Sequence, residues 1–290
     1  MSPAKREIDA VTGIETTGHE WDGVKELNKP LPKWWLFTFY ATVVWAVGYW
    51  IAYPAFPTLV GYTTGLFGYS QRLSLADEVE AARASQAALR ARIAAARLDD
   101  IAQQEDLLRF AMAAGASAFQ SNCAPCHGRG AQGLAGYPNL NDDDWLWGGT
   151  LEDILKTISA GVRSARKETR ESQMPRYGVD KLLDDAQIND VAEFVLSLSG
   201  KSSDAAAVAR GEKVFAEQCV ACHGADGKGK QELGAPNLAD EIWLYGGSKS
   251  AVVESIRTGR GGVMPAWADR LDAITLKSLA IYVHSLGGGK

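Results

Sequence analysis

Four cysteines and two histidines sit in one pentapeptide that occurs twice, as Cys123-Ala-Pro-Cys126-His127 and Cys219-Val-Ala-Cys222-His223. Each copy is followed, in order, by Pro-Asn-Leu, by Trp-Leu-x-Gly-Gly and by Met-Pro. Two thiols at this spacing can each bond one vinyl group of a single porphyrin, and the histidine that follows at once can reach the iron. The pattern is the attachment signature of c-type haem, and it predicts two covalently bound haem c groups. A redox dithiol or half of a zinc site uses the same CxxC spacing. The zinc reading would draw on both copies, and it leaves the Met-Pro downstream of each copy unexplained.

Adjacency to the thiols makes His127 and His223 the proximal iron ligands. A sixth ligand must come from elsewhere, and the chain has only four methionines. Met1 is the initiator and Met112 lies upstream of both motifs. Met174 and Met264 each precede a proline and occupy equivalent places in the repeat, where the ring stiffens the loop that presents the sulfur. A soft thioether favours Fe(II) and raises the potential of a His/Met haem. A ligating imidazole normally donates its other N–H to a carbonyl, which Pro138 and Pro236 are placed to offer, as in small class I cytochromes c. The indole N–H groups of Trp145 and Trp243 either reach haem propionates or belong to core aromatics. Arg163 and Arg257 read as solvated surface cations rather than propionate partners, and His19 and His284 as non-ligands.

These residues have to be carried by a particular scaffold. No charged residue occurs from Trp34 to Gln71, and the run from Trp34 to Tyr53 is apolar, rich in aromatics and free of proline. As a helix it would span about 30 Å, the thickness of a bilayer core. Residues 34–57 are therefore read as a transmembrane anchor. Lys5, Arg6, Lys25, Lys29 and Lys33 precede the span, whereas the first basic residue after it is Arg72. This asymmetry leaves residues 1–33 in the cytoplasm and exports the rest. Residues 58–114 read as a periplasmic helical connector, because Gln71 to Gly115 holds fourteen alanines and no proline. Residues 115–200 and 201–290 then form two haem domains. The offset between the copies is 98 at Trp-Leu-x-Gly-Gly but 90 at the methionine, so the first copy carries eight extra residues, expected as a surface loop. No alternating strand pattern appears. The expected fold is all-α: one N-terminal transmembrane helix, a long helical connector and two tandem class I cytochrome c domains.

The stretch from Gly18 to Leu36 contains Asp22-Gly23 and Asn28-Lys-Pro-Leu-Pro-Lys-Trp-Trp35. Together with one span and two CxxCH…PNL…WLxGG…MP copies, it resembles the dihaem subunit III of cbb3-type cytochrome c oxidases, the CcoP/FixP family. Lys29 departs from the usual Asn-Pro but touches no ligand. The resemblance implies a bacterial inner-membrane complex with a haem-copper catalytic subunit and a monohaem cytochrome c subunit. It also implies a donor cytochrome c that feeds this chain, with oxygen reduction and proton pumping in the large subunit of the respiratory oxidase. A dihaem peroxidase needs one five-coordinate haem, which Met174 and Met264 argue against. A free membrane-anchored dihaem cytochrome remains open. A net charge of -5 gives nucleic-acid binding no electrostatic support. Residues 115–200 carry -4 and residues 201–290 carry +1, which points a basic donor towards the first copy.

Overall fold

The structure, a computed structural model, describes residues 6–287; Met1, Lys5 and the last three residues of the second expected domain lie outside them. Packing divides the chain into two units, Met1–Ser85 and Gln86–Lys290. In the first unit, strands β1 (Thr16–Trp21) and β2 (Val24–Leu27) pair antiparallel. Asp22 and Gly23 close them with φ of 48° and 87°, the two positive angles that a type I′ hairpin turn demands. This hairpin corrects the all-α expectation. Helix α1 (Lys33–Ala52) begins after Pro32, buries no residue and is long and apolar enough to cross a bilayer. A second small hairpin, β3 (Pro57–Thr58) with β4 (Gly61–Tyr62), follows it.

Helix α2 (Gln71–Ala95) runs across the division. The second unit then holds α3 (Leu98–Gln103), α4 (Glu105–Asn122), α5 (Ala124–His127), α6 (Leu151–Ala160) and α7 (Asp185–Leu198). It continues with α8 (Ala205–Gln218), α9 (Val220–His223), α10 (Lys249–Thr258) and α11 (Ala273–His284). Side chains cap most of the longer helices. Asp184 and Gln187 form a capping box on α7, and Asp204 and Asp272 accept from the first amides of α8 and α11.

The helices do not pair in chain order. Helix α4 packs on α11, the last helix of the chain, while α7 packs on α8. At the first crossing a Cβ on Gly115 would stand 2.3 Å from the Ser278 carbonyl; at the second, one on Gly211 would stand 2.0 Å from that of Asp190. One core gathers Phe119, Ile154 and Ile158 with Leu279 and Val283. The other gathers Val191 and Val195 with Phe215, Val252 and Ile256. Each core thus takes its opening helices from one sequence copy and its closing helix from the other. The expected boundary between 200 and 201 therefore separates no packed domains. The chain crosses between the cores after α6, at Gly161, and back after α10, at Gly259.

Two further expectations are revised. The connector's end belongs to the haem-motif unit, since Ile93, Leu98 and Ile101 are buried with Leu107, Leu151 and Ile281. Lys277 of α11 donates to the carbonyls of Ile93, Ala94 and Ala96 at 3.0, 2.9 and 2.7 Å, capping the end of α2. Arg92 pairs with Asp106 and Arg90 with Asp272. The eight-residue insertion is likewise a folded element. Arg170, whose side chain is 10% exposed, reaches Asp153 at 2.9 Å and the Trp147 carbonyl at 3.1 Å.

The turn from α7 to α8 depends on one buried acid. Glu193 accepts from Ser202 Oγ at 2.6 Å and from the Ser203 amide at 3.2 Å, and pairs with Lys249 at 2.7 Å. Lys249, the serine hydroxyl and the amide outweigh burial and hold the Glu193 carboxyl down at about 2. A carboxyl depressed in the folded state stabilises above its unfolded value near 4.5, and that contribution is lost as pH falls towards about 2. Glu193→Gln is expected to cost about 1–3 kcal/mol at neutral pH, and denaturant midpoints should converge with wild type as pH falls through this window.

Candidate functional site

Helix α4 ends at Asn122 and Cys123 caps it; α5 is then a single turn that carries the rest of the first motif. The His127 amide donates to the Cys123 carbonyl at 2.9 Å, and the His223 amide to that of Cys219 at 2.9 Å. Both thiols and the imidazole of each motif are thereby held on one helical turn. His127 Nδ1–H donates to the Pro138 carbonyl at 3.0 Å and His223 Nδ1–H to that of Pro236 at 3.1 Å. These bonds fix the tautomer and leave Nε2 free for a metal. Burial lowers both imidazole pKa values, with the carbonyls acting against it. The four thiols are free, and burial pushes Cys123 and Cys219 up to about 11.

Each motif opens into a cavity. The first, of 520 Å³, is lined by Cys123, Cys126, His127, Pro138, Trp145 and Met264. The second, of 200 Å³, is lined by Cys219, Cys222, His223, Pro236, Trp243 and Met174. Equivalence in the repeat would pair each methionine with the histidine of its own copy, but the structure places it with the other. Hydrogen bonds across the crossings hold this arrangement. Val162 and Met264 exchange both amide–carbonyl bonds at 3.0 Å, and Gln173 Nε2 donates to the Gly259 carbonyl at 2.6 Å. A Cβ on Gly161 would stand 2.4 Å from the Met264 carbonyl, and one on Gly259 2.4 Å from that of Met174. Met112 lies on α4 against the cluster around Ile101 and lines neither cavity.

The donor set fits a covalently attached haem c. Two thiols and a neutral imidazole share one turn, and a thioether lines the same mainly apolar cavity. The indole Nε1 of Trp145 and of Trp243 is buried with no hydrogen-bond partner among the described residues. Such a donor demands an acceptor, and a propionate would supply one. Asp144 lines the first cavity, where burial and then Asp240 push its carboxyl up to about 6. Arg257 pairs with Asp185 at 2.8 Å on the surface, as expected. Arg163 differs, since it is partly buried and lines both cavities. Arg260, Trp147 and Tyr245 do the same and were not singled out from the sequence. The third position of each Trp-Leu-x-Gly-Gly is aromatic, and that was the available signal for the last two.

Family comparisons follow the linear order of the chain. The description "N-terminal domain of cytochrome oxidase-cbb3, FixP" matches residues 13–59, "Cytochrome c" residues 112–199 and "Cytochrome C oxidase, cbb3-type, subunit III" residues 206–283. The chain is 55% identical over 288 residues to the Cbb3-type cytochrome c oxidase subunit FixP of Bradyrhizobium diazoefficiens, with 98% of each chain covered. It is 50% identical over 291 residues to the subunit FixP of Sinorhizobium medicae, with 100% of both covered. Identity to the subunit CcoP of Azospirillum brasilense is 51% over 294 residues, covering 99% of this chain and 100% of the relative.

The crossing itself is open to test at its glycines. Gly161 has φ 73° and ψ -177°, a region essentially reserved for glycine, and it abuts Met264. Gly161→Ala is expected to cost about 3 kcal/mol or more, combining backbone strain with the clash. Gly200→Ala, with φ 71° but no atom within 4 Å of the added Cβ, should cost about 1 kcal/mol. Denaturant unfolding of the two variants measures the difference.

Proposed function

This chain belongs to the FixP/CcoP family of cbb3-type cytochrome c oxidase subunits, and on that basis we propose that it is the relay through which the oxidase receives electrons from a donor cytochrome c. It passes them to the monohaem cytochrome c subunit and the haem-copper subunit, where oxygen is reduced and protons are pumped. The observation that carries this reading is the pairing of one imidazole and one thioether in each of two cavities, beside two thiols. Cys123, Cys126, His127 and Met264 hold one haem c, and Cys219, Cys222, His223 and Met174 hold the other. Bound there, each haem supplies a one-electron iron couple whose potential the thioether raises.

The remaining work belongs to the chain. The Pro138 and Pro236 carbonyls orient the imidazoles through Nδ1, and Trp145 and Trp243 offer their indole N–H groups to propionates. Phe119 and Phe215 lie against the cavities from the two cores and exclude water. In each cavity an imidazole and a thioether would both hold a bound haem iron and leave no place for peroxide, which disfavours a peroxidase. Helix α1 anchors the chain in the bacterial inner membrane. The excess of lysine and arginine before it keeps the N-terminus cytoplasmic and the haem sites periplasmic.

Two experiments test this reading. Met264→Leu should alter the spectrum and lower the potential of the haem attached through Cys123 and Cys126, leaving the other unchanged. Met174→Leu should affect only the haem attached through Cys219 and Cys222. Removing one CxxCH motif at a time (both cysteines to alanine) identifies which haem responds. Unchanged spectra and potentials would refute the ligand assignment. Purification of the tagged chain from membranes in mild detergent should bring b-type haem and oxygen consumption with it. Elution alone with only c-type haem would instead show a free dihaem cytochrome.

A further inference from the structure

The two crossings run through a seam between the cavities, and the charged side chains lining both cavities are Arg163 and Arg260. Arg163 sits at φ 50°, unusual for a residue with a Cβ, directly after the pairing of Val162 with Met264. Its Nε donates to the Gly262 carbonyl at 2.7 Å and its Nη1 to the Ser172 carbonyl at 2.6 Å, one acceptor from each crossing segment. Burial lowers its pKa, opposed by Tyr245. The Arg260 guanidinium lies 5.3 Å from the centroid of the Tyr245 ring. Neither arginine has an ion-pair partner among the described residues.

Four other arginines of this unit are ion-paired. Arg170 pairs with Asp153, Arg166 with Asp269, Arg210 with Asp190 and Arg257 with Asp185. Asp144, the acid that lines the first cavity, does not compensate the seam: burial, Asp240 and Asp142 raise its pKa, with no arginine lowering it. Two partly buried cations without counter-charges are costly unless an anion arrives. The planar guanidinium fork is shaped for carboxylates. A haem c at each cavity brings two propionate carboxylates.

We propose that Arg163 and Arg260 form one cationic bridge shared by the two haem sites, holding a propionate from each and setting the two reduction potentials together. This rests on the reading that each cavity holds a haem c. A cation beside the propionates offsets their negative charge and favours the reduced iron, so its loss lowers the potential at both sites. The backbone carbonyls fix Arg163 in the seam, so it belongs to neither site alone. Arg163 and Arg260 are positioning residues and not ligands.

The test is a spectroelectrochemical titration of the full-length chain in detergent, wild type against Arg163→Gln, Arg163→Lys and Arg260→Gln. Haem staining of the denatured chain is measured alongside, with thermal melting of each variant. The bridge predicts that Arg163→Gln lowers both potentials, each by about a tenfold shift in the reduction equilibrium, ~59 mV for one electron, and that Arg163→Lys, which keeps the charge without the fork, restores part of the loss. Arg260→Gln should move both potentials in the same direction, and it carries the test if Arg163→Gln does not fold. A shift at one haem only, or a lower melting temperature with both potentials unmoved, overturns the bridge and leaves the arginines as ties between the crossing segments. Fewer than two covalent haems on the wild-type chain would overturn the haem reading itself.

Discussion

Val162 and Met264 exchange backbone hydrogen bonds although they come from different copies of the repeat, and the arrangement of the whole second unit hangs on that short pairing. It brings the second copy's methionine loop and α11 to the first copy's cavity. The reciprocal contacts, Gln173 with Gly259 and Tyr177 with Ile256, bring the first copy's loop and α7 to the second. Each crossing needs the other, because a cavity that gave up its own closing helix without receiving one would leave its core open. Phe119 would lose Leu279 and Val283, and Phe215 would lose Val191 and Val195. Burial of such large apolar side chains is worth about 1.5–3 kcal/mol each, so a half-exchanged chain forfeits much of the margin that holds a domain folded.

The exchange makes two sites into one cooperative body. In a tandem pair joined by a short polar linker, the two sites could reorient about it. Here residues 201–204 join α7 to α8 within one core, where Glu193 fastens them through Ser202 and Ser203. The two cores are joined instead by the two crossings, pinned at Gly161 and Gly259 where no Cβ fits. The seam is filled reciprocally. Trp147 of the first copy packs against Gly234 of the second, and Tyr245 of the second lies beside Gly136 of the first. The Gly136 amide also donates to the Leu244 carbonyl at 2.8 Å. Pairing α4 with α11 closes a loop that contains nearly the entire unit, which is an entropically late event in folding.

Much of the site was legible because its chemistry is local. A CxxCH pentapeptide must form one turn to present two thiols and an imidazole together, and the proline carbonyl sits within a short loop of each histidine. The apolar span was legible for the same reason. The exchange was not. Both copies have the same order of motifs, so a methionine following its own CxxCH and a methionine following the other one satisfy the pattern equally well. The eight extra residues before Met174 were the only trace of a longer path, and they read as a surface loop until Arg170 was seen bonded to Asp153 and Trp147. The hairpin at Asp22-Gly23 was readable in principle, since an Asp-Gly pair between Trp21 and Val24 is a turn signal. Charge summed over linear halves also loses its meaning, because neither half corresponds to a packed one.

The same interleaving explains why Arg163 resembled a surface residue. In a linear domain, the end of the helix after Trp-Leu-x-Gly-Gly faces solvent, and an arginine there is solvated at little cost. In the exchanged chain this position lines both cavities, so the guanidinium trades water for two carbonyls. Lysine would reach the seam with one compact charge, whereas arginine can bond Gly262 and Ser172 through Nε and Nη1 and still present its remaining N–H groups to either side. The requirement for a fork at this position arises from the crossing itself: a residue that must tie two strands and serve two cavities needs more donors than any single-site cation.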